Sequence, residues 1–134
     1  MAAILNHTIV WCRDAGVSAG FLAEMLDLEP AERFFQFHVV TLGNGVSLDF
    51  MSKEGPVSIQ HYAFLVDEPQ FDKTLARIRA REIPHWADPA RSRAGQINTH
   101  WGGRGVYFTD PDGHLLEIIT RPYGDPQALD DAGG

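Results

Sequence analysis

The sequence predicts an α+β fold built from two similar halves in tandem. Residues 44–50 and 112–118 both read as a turn pair, two further residues, a leucine, a carboxylate and a large apolar residue. Residues 5–10 and 59–64 both open with an apolar residue, an amide and a histidine, and then continue as a strand. Asn-Gly and Asp-Gly favour tight turns because Gly, Asn and Asp tolerate positive φ. The order of histidine then carboxylate occurs twice, which indicates a repeat of roughly 50–60 residues.

The first half, about residues 3–52, begins with a strand and a helix. Residues 4–12 alternate in character and are rich in β-branched and aromatic types, so they predict a strand with His7 on one face. Residues 14–26 place apolar side chains at helical spacing. This helix ends before Pro30, because the residue preceding a proline avoids the α region.

Strands fill the rest of the first half. Residues 33–42 are dense in Phe and Val and predict a single strand. A turn at residues 43–45 connects it to a returning strand at 46–51. Residues 52–57 include Gly-Pro and break the pattern, so they link the two halves.

The second half, about residues 58–121, repeats this plan. Residues 59–66 predict a strand, and Asp67 or Glu68 then caps a helix with Pro69 at its first position. The buried stripe of that helix is marked by Phe71, Leu75 and Ile78. That helix ends near Arg81, and residues 83–87 predict a short strand.

A long loop precedes the last two strands. Residues 88–104 hold Pro, Ser, Asn, Gly and three arginines, and loops of that length in a compact domain are often functional. Residues 105–109 and 114–120 predict strands on either side of an Asp-Pro-Asp-Gly turn. The acidic tail, about residues 124–134, is predicted to be disordered.

Length and composition fit one soluble cytoplasmic domain. The 134 residues suit a single core, and 44% hydrophobic with 22% charged residues is ordinary for a globular protein. A net charge of −7 with only two lysines argues against nucleic acid as a partner. No apolar run reaches the roughly 20 residues of a membrane span. Cys12 is the single cysteine, which excludes an internal disulfide and fits a reducing compartment.

Two imidazoles and two carboxylates stand at the duplicated positions: His7, His61, Asp49 and Glu117. Two histidines with one or two carboxylates suit a divalent metal of intermediate softness, such as Fe, Ni, Zn or Mn. Such a set leaves coordination positions open for substrate and water. The alternative is a structural role, since a lone histidine on a strand is usually satisfied by packing.

The sequence resembles the vicinal oxygen chelate superfamily, which includes glyoxalase I, extradiol dioxygenases, fosfomycin-resistance enzymes and bleomycin-resistance proteins. Residues 107–117, Tyr-Phe-Thr-Asp-Pro-Asp-Gly-His-Leu-Leu-Glu, are close to its C-terminal signature. Asn6-His7 and Gln60-His61 match its two histidine strands. The resemblance covers residues 4–121. It implies two βαβββ modules that curl into one open barrel-like cleft, within a homodimer.

The resemblance also implies a metal site and a catalytic tyrosine. His7, His61 and Glu117 would bind the metal, with Asp49 at the fourth ligand position. That position is usually glutamate in glyoxalase I, so the shorter aspartate puts direct binding in question. Tyr107 lies ten residues before Glu117, as does a cleft tyrosine in fosfomycin enzymes and the acid–base tyrosine in extradiol dioxygenases.

The resemblance leaves three functions open. The first is a metal-dependent enzyme with glyoxalase-like lyase or isomerase chemistry, whose small substrate chelates the metal through adjacent oxygens. The second is an Fe(II) extradiol-type dioxygenase of a catecholic substrate. The third is a non-catalytic drug-binding protein of the bleomycin-resistance type, against which the candidate ligands count. Trp11 stands where glyoxalase I usually carries arginine, and Ile9 where fosfomycin enzymes carry threonine.

Two arginines each have two interpretations. Arg104 and Arg121 are either solvated surface residues or groups that hold an anionic part of the substrate. His100 and Trp101 lie in the long loop and are predicted to cover the cleft, and His100 is also a candidate, with His85, for the catalytic histidine of an extradiol dioxygenase. His114 lies two positions from Leu116, so it is predicted to face away from Glu117 as a turn or interface residue.

Overall fold

The computed structural model describes residues 2–124, and the predicted disordered tail lies outside these residues from position 125 onward. The chain divides into two compact units, whose described parts are residues 2–59 with 110–112 and residues 60–109 with 113–124. Each unit holds one four-stranded sheet and one α-helix in the order βαβββ. The predicted α+β fold of two tandem βαβββ modules is therefore confirmed. Across residues 2–124, every helix is too short or too polar to cross a bilayer.

The first unit is a mixed sheet with one helix. Its sheet has the order β1-β4-β3-β2, in which β1 runs parallel to β4 and the other neighbours are antiparallel. A parallel pair needs a long crossover connection, and a helix and two strands provide it here. The elements are β1 (His7–Cys12), α1 (Ala15–Leu26), β2 (Glu32–Phe34), β3 (Phe37–Thr41) and β4 (Ser47–Ser52).

Helix α1 covers one face of this sheet. Asp14 caps it by accepting a hydrogen bond from the Val17 N–H at 3.2 Å, and Asp27 ends it in the left-handed conformation. The helix packs against β1, β3 and β4, and it buries their alternate side chains: Val10, Cys12, Val40, Leu48 and Phe50. Because side chains alternate along a strand, His7 and Asp49 lie on the opposite face.

Residues 33–42 form two strands, so the prediction of a single strand was wrong. The chain reverses at Phe35 and Gln36, where Phe35 adopts a φ of 53°. Phe34 then pairs with Phe37 across an antiparallel hairpin. Neither turn residue is Gly, Asn, Asp or Pro, so the usual turn signal is missing. The additional strand completes the βαβββ order of this unit.

The second unit has the same topology. Its sheet has the order β5-β8-β7-β6, and β5 runs parallel to β8. A one-turn 3-10 helix, His100–Gly102, lies in the long loop before β7. The elements are β5 (His61–Leu65), α2 (Glu68–Ala80), β6 (His85–Trp86), β7 (Gly105–Thr109) and β8 (Leu115–Ile119).

Helix α2 begins and packs as the sequence predicts. The Asp67 side chain caps it by accepting from the Gln70 N–H at 2.9 Å, and Pro69 lies in the first turn. The helix buries the apolar stripe of Phe71, Leu75 and Ile78, together with Thr74.

Arg104 holds the first turn of α2. Its Nη2 lies 2.6 Å from Oε2 of Glu68 and 2.8 Å from Oδ1 of Asp72. The guanidinium also lies 4.4 Å from the centre of the Phe71 ring. Arg104 is thus an intramolecular ion-pair partner, which the sequence reading did not include among its roles.

The signature turn supplies a buried carboxylate to the first unit. Asp112 Oδ2 accepts from the Ser18 hydroxyl at 2.5 Å, and Oδ1 accepts from the Arg13 N–H at 2.8 Å. Burial opposes ionisation of Asp112, but these hydrogen bonds outweigh it and hold the pKa below its ordinary value. Through these two contacts, the turn links helix α1 to the end of strand β1, which precedes that helix.

Candidate functional site

The second unit brings His61 and Glu117 together. In the parallel pair β5–β8, Glu117 lies opposite Ala63, two residues beyond the histidine, and on its other side it pairs with Tyr107 of β7. His61 Nε2 lies 3.0 Å from Glu117 Oε1. Since a carboxylate oxygen accepts, Nε2 carries the proton in this arrangement.

The start of β5 is fixed by two hydrogen bonds. The Gln60 N–H donates to Nδ1 of the buried His114 at 2.9 Å, and the Leu115 N–H donates to the Gln60 carbonyl at 2.9 Å. His114 was predicted to face away from Glu117 as a turn or interface residue. It holds the beginnings of β5 and β8 side by side, which positions His61.

Glu117 is buried, and each of its oxygens has a partner. The residue is 1% exposed, and its Oε2 accepts a hydrogen bond from the Tyr123 hydroxyl. The Tyr123 oxygen in turn lies 2.9 Å from the Tyr107 hydroxyl. Burial raises the pKa of both phenols, and the nearby Glu117 charge adds to this, so both are neutral donors at neutral pH.

His61 is the exposed member of the pair. Its side chain is 46% exposed, whereas that of Glu117 is 1% exposed. Its ring stacks on the Tyr107 ring with centroids 5.9 Å apart. The imidazole is therefore oriented by an aromatic neighbour while remaining open to a ligand.

The first unit repeats this strand register, but its histidine and carboxylate have different hydrogen-bond partners. Asp49 lies opposite Ile9, two residues beyond His7, just as Glu117 lies opposite Ala63. Asp49 Oδ1 accepts from the Ser47 hydroxyl at 2.8 Å. His7 Nδ1 lies 2.7 Å from the amide oxygen of Asn6, so Nδ1 donates and the Nε2 lone pair is directed elsewhere.

His7 and Asp49 line one cavity of the first unit. Its volume is about 450 Å³, and its walls are formed by β1, the β2–β3 hairpin and β4. The lining combines polar groups with exposed aromatic rings: Asn6, His7, Ile9, Glu32, Arg33, Phe34, Phe37, Val39, Ser47 and Asp49.

The four predicted metal ligands fall into two pairs. His61 and Glu117 are in contact, and His7 and Asp49 share a cavity. Within residues 2–124, no three His, Cys, Asp or Glu side chains converge as a metal-binding group. Metal binding by His7, His61, Glu117 and Asp49 therefore stays a prediction, for each pair and for the full set.

Tyr123 is a site residue that the sequence reading missed. It follows the last strand, in a Pro-Tyr-Gly turn that carries no recognised motif. The ring of Trp101, from the loop predicted to cover a cleft, lies 6.4 Å from the Tyr123 ring. Cys12 is unsuited to act as a nucleophile, because burial and the charge of Asp112 raise the pKa of its thiol to about 11.

Comparison with known families identifies the superfamily of this chain. The family model of the Glyoxalase/Bleomycin resistance protein/Dioxygenase superfamily matches residues 4–118. The chain belongs to this superfamily. The family recognition made from the signature and the histidine strands is thereby confirmed.

Individual relatives differ in what their names say they do. The solved structure of oxidase ChaP-H1 is 57% identical, with a TM-score of 0.90, and the match covers 92% of this chain and 100% of that one. Oxidase ChaP-H2 is 51% identical, with a TM-score of 0.91, covering 93% and 98%. Metallothiol transferase FosB of Shouchella clausii (strain KSM-K16) is 33% identical over 100 residues, or 75% of this chain. That match spans 64% of the FosB protein.

Proposed function

We propose that the protein is a metal-dependent oxidase that uses dioxygen on a small aromatic substrate with neighbouring oxygens. The observation that carries this proposal is the 57% identity to oxidase ChaP-H1 over 92% of the chain. Fold alone does not determine a reaction, so the site must also suit the chemistry.

His61 and Glu117 are the proposed core of the metal site. Their 3.0 Å separation is close to what two ligands about 2.1 Å from one cation require at right angles. An imidazole with a carboxylate suits Fe(II), Mn, Zn or Ni. His7 is the third ligand predicted from the sequence, and the Asn6 contact leaves its Nε2 available. Bound Fe(II) would supply the oxygen chemistry that protein side chains lack.

The cavity of the first unit is the proposed place for the substrate's ring. Its volume of about 450 Å³ lies within the range of small-molecule sites. Phe34 and Phe37 offer flat apolar contacts to an aromatic ring. Arg33 and Asn6 also line this cavity and can donate hydrogen bonds to oxygen substituents.

Tyr107 is the proposed acid–base residue. It stacks on His61, and its hydroxyl is linked through Tyr123 to Glu117. A neutral phenol beside the ligating histidine is suited to giving a proton to a substrate oxygen or receiving one from it.

A second candidate is glyoxalase-like lyase, isomerase or thiol-transfer chemistry on the same metal. The 33% identity to a metallothiol transferase favours it. Here the metal would act as a Lewis acid toward adjacent substrate oxygens, without dioxygen. A non-catalytic drug-binding protein is the remaining alternative.

The protein is also proposed to act as a homodimer. Leu5 and Trp11 are apolar yet 63% and 44% exposed, and a second copy would cover them. Light scattering on the purified protein measures this directly.

Metal analysis with substrate screening tests the function. Anaerobically purified protein is expected to hold about one iron per chain and to consume dioxygen with catechols. His61→Ala is expected to lose both properties, whereas Lys73→Ala, on the exposed side of α2, keeps them.

Other results would select the alternatives. Turnover of a thiol with an aldehyde or epoxide, without dioxygen uptake, would support the second candidate. Tight binding of an aromatic drug, unchanged by a chelator and without metal uptake, would support the binding protein.

A further inference from the structure

We propose that Tyr123 is a positioning residue that occupies Oε2 of Glu117, so that this carboxylate presents only Oε1 to a metal ion. The inference rests on the proposed metal site. It assigns a role to a residue outside the family signature.

The two oxygens of Glu117 have separate partners. Oε1 lies beside His61 Nε2, on the side where a cation would replace the shared proton, and Oε2 accepts from Tyr123. A buried carboxylate needs hydrogen-bond donors, because burial without them is costly. Tyr123 is the donor on the side away from His61, and it therefore fixes the rotation of the carboxylate.

Tyr123 is itself held by its neighbours. The Tyr107 hydroxyl lies 2.9 Å from its own, and the Trp101 ring lies 6.4 Å from its ring. Tyr123 has one proton, and Glu117 can only accept, so Tyr107 donates to Tyr123. The proton direction is therefore Tyr107 to Tyr123 to Glu117.

The backbone between β8 and Tyr123 is also anchored. The Arg104 backbone N–H donates to the Thr120 side-chain hydroxyl at 2.8 Å, and the Thr120 backbone N–H donates to the Arg104 carbonyl at 3.0 Å. A Cβ at Gly103 would lie 2.6 Å from Thr120 Oγ1, so the loop approaches this segment as closely as a glycine permits. These contacts bring the turn back over Glu117.

Hydrogen bonds to ligating carboxylates orient them and tune affinity, and their loss costs about 10- to 100-fold in metal binding. Tyr123→Phe removes only the hydroxyl and keeps the ring beside Trp101. Anaerobic titration of chelator-treated protein with Co(II), followed by its visible absorption, is expected to give a Kd about 10- to 100-fold weaker than that of the parent. The absorption is also expected to change, because the freed Oε2 can reach the cobalt.

Two comparisons separate positioning from folding. Tyr62→Phe removes a phenol hydroxyl from the opposite face of β5 and is expected to keep the parent's Kd and spectrum. Thermal unfolding in chelator is expected to give a lower Tm for Tyr123→Phe than for the parent, because Oε2 of the buried Glu117 loses its donor. Positioning is reported by the rise in Tm on adding metal, which is expected to be smaller for the variant than for the parent.

Failure of the inference differs from failure of the proposed function. If the parent binds cobalt, His61→Ala does not, and Tyr123→Phe matches the parent in Kd and spectrum, the role of Tyr123 is overturned and the metal site stands. If the parent takes up neither Co(II) nor Fe(II), the metal site and the inference are both overturned.

Discussion

The two units share one strand register but place different carboxylates at the same position. Asp49 lies opposite Ile9 in β1–β4, and Glu117 lies opposite Ala63 in β5–β8. In each unit, the strand parallel to the one that carries the carboxylate begins with a histidine. The backbone of the duplicated module thus brings a histidine and a carboxylate to the same face twice.

The surroundings of the two carboxylates differ. Glu117 is buried and contacts His61 and Tyr123. Asp49 is half-buried, one methylene shorter, and contacts Ser47 of its own strand. The second unit therefore has a preorganised histidine–carboxylate pair, whereas the first has a cavity with aromatic walls.

The two duplicated turns differ in the same way. Asn44 uses its side-chain oxygen locally, accepting from the Val46 N–H at 3.2 Å. Asp112, at the equivalent turn position, is buried against Ser18 and Arg13. One copy of the turn is a simple hairpin connection, and the other has become part of the core of the first unit.

Glu117→Gln, compared with Asp49→Asn, gives the largest expected difference between the units. Loss of the buried carboxylate should weaken Co(II) binding by more than about 100-fold, beyond the usual effect of outer partners. Asp49→Asn keeps an oxygen that accepts from Ser47 and should change Kd by less than about tenfold. One Co(II) titration series gives both Kd values. As a control for folding, a separate unfolding measurement in chelator should show that Glu117→Gln unfolds no more easily than the parent. Equal losses would make both carboxylates ligands and restore the four-ligand set.

Asp112→Asn should destabilise the protein by about 2 kcal/mol at neutral pH, because it removes hydrogen bonds to a buried charge. The folded-state pKa of Asp112 is lowered, so its contribution is complete above the unfolded value of about 4 and is lost as pH falls through the folded value. Urea unfolding of parent and variant should therefore differ at pH 7 and converge in acid, below about pH 4. A difference that persists unchanged into acid would mean that packing, rather than charge, is lost.

Much of the fold follows from local patterns that the chain obeys. Alternation predicts β1 and β5, and the Asp67 cap and the stripe at Phe71 predict α2. The hairpin at Phe35 was missed because a phenylalanine, rather than a glycine or asparagine, takes the positive φ. A tertiary environment that tolerates this strain is not encoded in the local pattern.

The site was predictable only where duplication or strand pairing fixes it. His61 and Glu117 meet because their strands are parallel neighbours in a defined register. Tyr123 lies beyond the last strand, and no periodic pattern in the sequence predicts which residues it contacts. Arg104 pairs with Glu68 across 36 positions, a contact that depends on how the loop folds back.

Asn44→Ala should have the smallest effect, because the exposed asparagine makes only a local hydrogen bond to Val46. Gly45 supplies the positive φ of this turn, with φ 86°, so the turn does not require a side chain at position 44. Stability should change by no more than about 0.5 kcal/mol, with no pH dependence between neutral and acid. The same urea series measures it beside Asp112→Asn. A loss as large as that of Asp112→Asn would show that the first turn also supports packing, which would remove the difference between the two copies.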